Sequence, residues 1–173
     1  MTLIIEVYQL KSNISPRKTP FYKVHSVYAN KVLALDAIYD IQQDYRIRNI
    51  KSSFNEDILV ISDVPERGFA NISYIIEDTM LYGDSIGDYV YNLTMFQGYI
   101  LDQDKPYRYT NLGWFSNPIW AKRTREWRLM KHAIETRKDI DWIETNNEIR
   151  ILGPNECTDR NPSLVIRSYL LIK

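Results

Sequence analysis

The chain has 173 residues, of which 45% are hydrophobic and 25% are charged. This is the composition of an ordinary globular protein, and it excludes a disordered chain. The 22 basic and 22 acidic residues balance, which excludes an overall electrostatic attraction to nucleic acid or to an anionic membrane. Any such attraction must be local.

Cysteine content and hydropathy restrict the compartment. Cys157 is the only cysteine, so no internal disulfide can form. The first ten residues lack the basic start of a secretory signal, and no apolar run approaches the roughly 20 residues of a membrane span. We therefore expect a protein of a reducing compartment without a membrane segment. The 13 tyrosines and 4 tryptophans favour either contact surfaces or the rim of a core.

The N-terminal part of the chain predicts two strands and a helix. Residues 2–10 and 21–28 alternate in the manner of strands, and a polar loop lies between them. Asn30 is a suitable N-cap for a helix that continues to about Tyr45. Its predicted apolar face is formed by Ala34, Ala37, Ile38, Ile41 and Tyr45.

The same helix carries Asp36, Asp40 and Asp44 in a row with a spacing of four. Like charges at this spacing cost a few tenths of a kcal/mol per pair, so the row is slightly unfavourable in an isolated helix. It is either a solvated face or a docking ridge for a basic partner. A straight row does not converge on a cation, which disfavours a metal site.

Residues 57–101 predict the order strand, helix, helix, strand. Residues 58–61 form a short apolar run, to which 46–53 can pair as a further strand. Gly83 separates two helical repeats, in the left-handed position that ends many helices. The apolar positions are Phe69, Ile72, Ile76 and Met80 in the first repeat and Ile86, Val90 and Leu93 in the second.

This order, with Tyr82-Gly83-Asp84 between the helices, resembles the LysM module, and among its carriers the tail and baseplate wedge proteins of tailed phages. The matching residues are 75–84 and 88–93, and the resemblance covers about a quarter of the chain. Gln97-Gly98 stands where the family usually has Asn-Gly. The resemblance implies a non-catalytic binding or assembly role, with other virion subunits as partners and the virion or the cytoplasm as location.

A second long helix is predicted from Asn117 and Pro118 to about Lys138. Its apolar face is predicted to face the core, with the basic residues on the other side. The apolar face consists of Ile119, Trp120, Trp127, Met130 and Ile134, and the other side of Lys122, Arg125, Arg128 and His132. This helix carries the only basic patch in the sequence, which consists of Lys122, Arg123, Arg125, Arg128, Lys131, Arg137 and Lys138. Arg123 and Lys131 lie at the boundary between the two sides, where their aliphatic stems can lie along the tryptophans. Phosphate contact combined with base stacking uses these residue types.

Two sets of binding residues follow. For binding to a protein partner we predict Asp36, Asp40, Asp44, Lys122, Arg125, Arg128, Tyr107 and Tyr109, the two tyrosines coming from the loop 102–113. For the alternative, nucleic-acid binding, we predict Lys122, Arg125, Arg128, Trp120 and Trp127. The acidic row of a neighbouring copy is a comparable partner for the basic patch.

The end of the chain predicts a hairpin and a strand. Residues 140–145 and 148–152 flank Asn146-Asn147, and asparagine tolerates the backbone angles of a tight turn. Residues 163–173 then alternate as a terminal strand that requires partners on its edges.

No combination of residues predicts catalysis. His25, His132 and Cys157 lie far apart in the sequence, and no metal-ligand spacing or glycine-rich phosphate loop occurs. We therefore predict no catalytic or metal-binding residue, no cofactor and no small-molecule substrate.

The predicted fold is α+β, with a small mixed or antiparallel sheet, three to four amphipathic helices and a C-terminal hairpin and strand. We expect one domain over 1–173, with a βααβ subregion at 57–101 and a helix, hairpin and strand at 114–173. The predicted function is that of a non-enzymatic assembly subunit of a tailed-phage virion, in the tail, baseplate or neck. The alternative is a nucleic-acid-binding protein that uses the helix 117–138.

Overall fold

The fold was analysed in a computed structural model. It describes residues 1–10, 21–62, 64, 69–83, 87–97, 109–136, 141–144, 148–152 and 162–173. Internal contacts divide the chain into two compact units. Unit 1 is formed mainly by Met1–Thr79 with Leu171–Lys173, and unit 2 mainly by Met80–Gln103 and Tyr109–Leu170. Compactness does not show that a unit folds by itself, so the single domain stays a prediction.

Unit 1 is a sheet covered on one face by a helix. Its elements are β1 (Thr2–Leu10), β2 (Phe21–Tyr28), α1 (Lys31–Ile47), β3 (Ser52–Asn55), β4 (Ile58–Ser62) and β5 (Phe69–Asp78). The strands follow the order β3-β4-β5-β1-β2 with antiparallel neighbours. Leu171 and Ile172, at the end of β11 (Pro162–Ile172), add to β2 in parallel.

The core of unit 1 lies between α1 and the sheet. Ala34 and Ile38 of the helix are fully buried there. From the sheet the core receives Ile4, Tyr8, Tyr28, Leu59, Ile61, Ile72, Tyr74 and Ile76. The helix begins where the sequence predicts, because the side chain of Asn30 accepts a hydrogen bond of 3.1 Å from the Leu33 amide.

Unit 2 consists of further strands with one helix packed against them. Its other elements are β6 (Leu81–Tyr82), β7 (Tyr89–Gln97), β8 (Tyr109–Phe115), α2 (Pro118–Thr136), β9 (Asp141–Glu144) and β10 (Glu148–Leu152). The strand order is β11-β7-β8-β6, and β10 pairs with both β11 and β9. Ala121 and Leu129 of α2 join two small cores with Leu93, Phe115, Leu164 and Ile166.

The predicted fold class is wrong. The described residues form eleven strands and two helices, whereas the prediction was a small sheet with three to four helices. The predicted helices at 69–80 and 86–93 are the strands β5 and β7. The strand–helix–helix–strand order that carried the LysM resemblance is therefore not present, and 98–101, its predicted last strand, lies outside the described residues.

The residue two positions after an apolar residue of β5 shows why the helix prediction for this segment is wrong. Ile72 and Ile76 lie on the same side of a helix and also on the same side of a strand, so their spacing of four does not distinguish the two. Tyr74 lies between them and is only 6% exposed, as strand alternation requires, whereas a helix would turn it away from the core. The β-branched isoleucines of this segment also favour a strand.

Other elements are as predicted. β9 and β10 pair as an antiparallel hairpin, and β11 is the terminal strand. The predicted turn at Asn146-Asn147 lies outside the described residues. An exception is the predicted strand 46–53, because α1 extends to Ile47 and the strand that pairs with β4 is β3, at Ser52–Asn55. The turn between β3 and β4 contains Glu56, which has a positive φ of 52°.

Candidate interaction surface and polar cleft

Helix α2 presents its large apolar side chains to solvent. Ile119, Trp120, Trp127 and Met130, which the sequence places against the core, are 56%, 53%, 51% and 58% exposed. They project from one side of the helix at successive spacings of one, seven and three residues. The buried side is narrower and consists of Ala121, Arg125 and Leu129, at a spacing of four. The predicted orientation of α2 is therefore reversed for the described side chains.

Among the predicted binding residues of α2, Arg125 differs most from its prediction. Only 2% of this residue is exposed, so its guanidinium is enclosed in unit 2 instead of facing a partner. Arg128 is half-buried, and Lys122 is exposed as predicted. The side chains of His132 and Ile134 lie outside the described residues. The buried side is indicated in the sequence by a spacing of four between Ala121, Arg125 and Leu129. The first of these residues is small, which allows the helix to pack closely on the sheet.

Cationic side chains lie over the exposed tryptophans. The guanidinium of Arg123 is 5.6 Å from the ring centre of Trp120. Arg128 and Lys131 both lie 5.4 Å from the ring centre of Trp127. Such contacts hold the rings in place and are worth about 0.5–1 kcal/mol each at exposed sites. The predicted position of Arg123 and Lys131 along the tryptophans is confirmed, although neither was among the predicted binding residues.

Together these residues define the α2 surface: Ile119, Trp120, Arg123, Trp127, Met130 and Lys131. All six are exposed, and Glu126 and Glu135 lie beside them. Glu135 pairs with Lys131 at 3.6 Å, so the surface is only weakly positive. Rigid aromatic rings, methionine and arginine are the residue types that protein interfaces enrich.

The acidic row of α1 is exposed along its whole length. Asp36, Asp40 and Asp44 are all exposed and do not converge on a point. Three apolar residues lie on the same side of the helix, Val32, Tyr39 and Ile47, at 66%, 53% and 78% exposure. We call these six residues the α1 surface. Of the two tyrosines predicted to bind a partner, Tyr107 lies outside the described residues, and Tyr109 begins β8 without a described side chain.

A β-bulge brings His25 to the helix-covered face of unit 1. In the pairing of β1 with β2, Ile4 opposes Ser26 and Ile5 opposes Val24, so His25 is the extra residue. As a result, adjacent residues 25 and 26 meet on one side of the strand, with 2.8 Å between His25 Nδ1 and Ser26 Oγ. The buried carboxylate of Glu6 lies 3.8 Å from His25 Nε2 and accepts a hydrogen bond from the Tyr8 hydroxyl.

This cluster borders a cleft of about 180 Å³. The cleft lies under the last turns of α1 and is lined by His25, Ile41, Asp44, Tyr45, Arg48 and Tyr74. The hydroxyls of Tyr45 and Tyr74 are 3.1 Å apart. Burial, followed by the Tyr45 hydrogen bond, raises the pKa of Tyr74 well above that of an ordinary tyrosine, so its hydroxyl stays protonated at neutral pH.

The contacts of the cleft favour a packing role. The Ser26 hydroxyl donates to Tyr28 at 3.0 Å, so its proton is not directed at His25 and the serine is not activated as a nucleophile. The 3.8 Å between His25 Nε2 and the Glu6 carboxylate is too long for a hydrogen bond. Sequence reasoning missed this group because no local pattern marks the bulge that assembles it.

The described ranges contain neither a metal site nor a membrane-spanning helix. No group of three or more His, Cys, Asp or Glu side chains is placed to hold a metal ion among those residues. No helix among them combines the length and the apolar character that crossing a bilayer requires. Compared with models of known families, with curated proteins and with solved structures, the chain shows no significant match.

Proposed function

We propose that this protein is a non-enzymatic structural subunit of a larger protein assembly and that it binds a neighbouring protein through the α2 surface. The observation that supports the proposal is the exposure of Ile119, Trp120, Trp127 and Met130 on one side of one helix. Large apolar side chains that are grouped in this way and rimmed by polar residues are typical of interaction sites.

The free energy available from this surface is modest. A tryptophan buries about 150–250 Å² when it is covered, and each of these two is about half exposed, which leaves roughly 100 Å² for a partner. At about 25 cal/mol per Å², each ring contributes about 2–3 kcal/mol. Association itself costs on the order of 4–15 kcal/mol. One α2 surface therefore gives weak binding, and stable assembly requires repeated contacts.

Nucleic acid is the alternative partner. Cations stacked on exposed tryptophans would suit phosphate contact and base stacking. Against this, the predicted phosphate ligand Arg125 is buried, and Glu126 and Glu135 lie beside the remaining cations. Ile119 and Met130 also gain little from contact with phosphate or sugar. These features favour a protein partner.

The attribution to a tailed-phage particle stays a prediction. It depended on a resemblance whose two helices are strands, so the proposal draws on the α2 surface alone.

Photo-crosslinking tests the proposed function. A photoreactive phenylalanine derivative replaces Met130 in tagged protein that is expressed in its natural source, and a matched derivative replaces Ile58, an exposed residue of β4. We expect a protein adduct from position 130 that is lost when Trp120 and Trp127 are both changed to serine, with no such adduct from position 58. Adducts to nucleic acid alone would support the alternative, and no adduct specific to position 130 would contradict both.

A further inference from the structure

We infer that the partner of the α2 surface is the α1 surface of a second copy of this chain. The inference rests on the proposed function and names its partner. The exposed sides of helices α1 and α2 are complementary in charge and in apolar area.

The first part of the complementarity is charge. On α1, Asp36, Asp40 and Asp44 follow one another every four residues. On α2, Arg123, Trp127 and Lys131 follow one another at the same spacing. From its first to its last member each row covers eight residue steps, which is about 12 Å along a helix. A row of three acids and a row with a cation at each end, of equal length, can therefore lie side by side.

The second part of the complementarity between α1 and α2 is the exposed apolar area beside each row of charged residues. Val32, Tyr39 and Ile47 are exposed next to the acids on α1. On α2 the exposed tryptophans, with Ile119 and Met130, lie next to the cations. Joining the two surfaces covers apolar area on both and brings charges of opposite sign together at the rim. The apolar contacts supply most of the free energy, and the charges fix register and favour this partner over others.

The two surfaces differ, so the contact is of the head-to-tail kind, which either closes into a ring or continues as a filament. One helix laid on another covers less than the roughly 1,200 Å² of a stable complex. We therefore expect association that is weak for one contact and rises steeply with protein concentration.

Charge reversal tests this pairing. The first variant carries Asp36→Lys and Asp40→Lys, and the second carries Arg123→Glu and Lys131→Glu. All four residues are exposed, so both variants should fold, which far-UV circular dichroism checks. Asp36→Asn with Asp40→Asn, and Arg123→Gln with Lys131→Gln, serve as milder versions. The control carries Glu77→Lys and Lys51→Glu, which reverse exposed charges elsewhere in unit 1.

Sedimentation velocity over a range of concentrations measures self-association. We expect each reversed variant alone to associate about tenfold more weakly than the unchanged protein, because like charges then face each other. The control should associate normally. An equimolar mixture of the two variants should associate again, because the intact α2 surface of one meets the intact α1 surface of the other.

Two results would overturn the inference. One is an unchanged protein that is monomeric at every concentration, and the other is a mixture that associates no better than its components. If either result is obtained together with a position-130 adduct to a different protein, the proposed function still holds. Only the inferred identity of the partner is then wrong.

Discussion

The hydroxyl groups of Tyr45 and Tyr74 lie 3.1 Å apart, which joins the last turn of α1 to the middle of β5. Both rings also take part in the packing of unit 1, with centroids 6.4 Å apart. This pair fixes the end of the helix over the sheet and forms one wall of the His25 cleft.

We expect the Tyr45–Tyr74 hydrogen bond to contribute about 0.5–1.5 kcal/mol to the free energy of unfolding. Tyr45→Phe, Tyr74→Phe and the double variant form a cycle that isolates the coupling between the two hydroxyls. Urea denaturation gives the three differences in free energy. Additive effects of the two substitutions would show that the hydroxyls do not interact.

The raised pKa of Tyr74 predicts a loss of stability at alkaline pH. Burial raises this pKa in the folded chain. The contribution of Tyr74 to stability is therefore complete below the ordinary tyrosine pKa of about 10 and declines as pH rises above it, because the unfolded chain loses the proton first. The free energy of unfolding should fall less steeply above that pH in Tyr74→Phe. Tyr39→Phe, at an exposed position, should keep the slope of the unchanged protein.

Gly83 has a backbone conformation that other residues rarely adopt. Its φ is +108°, and a Cβ atom added there would collide with the Ser116 hydroxyl. We expect Gly83→Ala to destabilise the protein by about 1–3 kcal/mol, as measured by thermal or urea unfolding. Gly87→Ala is the matched control, since nothing lies within 4 Å of its added Cβ. In the Gly83→Ala variant, changing Ser116 to alanine should recover only the stability that the steric clash removes, because the strained φ of residue 83 remains.

Because α2 packs on the sheet with one side only, substitutions on its two sides should differ in their effect on the free energy of unfolding. Leu129→Ala should cost about 2–5 kcal/mol, because Leu129 is buried against Leu164. Trp120→Ser and Trp127→Ser remove larger side chains but should each cost less than Leu129→Ala, because about half of each tryptophan lies in solvent and no cavity is left in the core. The opposite ranking in urea denaturation would show that the tryptophans face the core.

Local signals in the sequence predicted elements that end at clear boundaries. Asn30 and Asn117 each cap a helix with a side-chain hydrogen bond, of 3.1 Å to Leu33 and 2.8 Å to Ile119. The hairpin β9–β10 was likewise marked by its central asparagines. At both helix starts a few adjacent residues determine the local backbone, and distant contacts are not needed.

The errors concern features that distant contacts decide. An apolar spacing of four fits β5 as well as it fits a helix, and only its pairing with both β1 and β4 makes it a strand. α2 has apolar residues on both sides, and close packing on the sheet buries the side with the smaller residues, among them Ala121. The bulge at His25 depends on the register between two strands, which no single segment contains.

Oxidative footprinting of the tryptophans tests the central claim, that a neighbouring protein covers the α2 surface. Mass spectrometry would compare the oxidation of Trp120 and Trp127 in the isolated chain and in the assembly from its natural source, with buried Trp114 as the internal reference. We predict that both tryptophans are reactive in the isolated chain and are protected about tenfold or more in the assembly, as expected for buried anchor residues. Equal reactivity in the two states would contradict the claim.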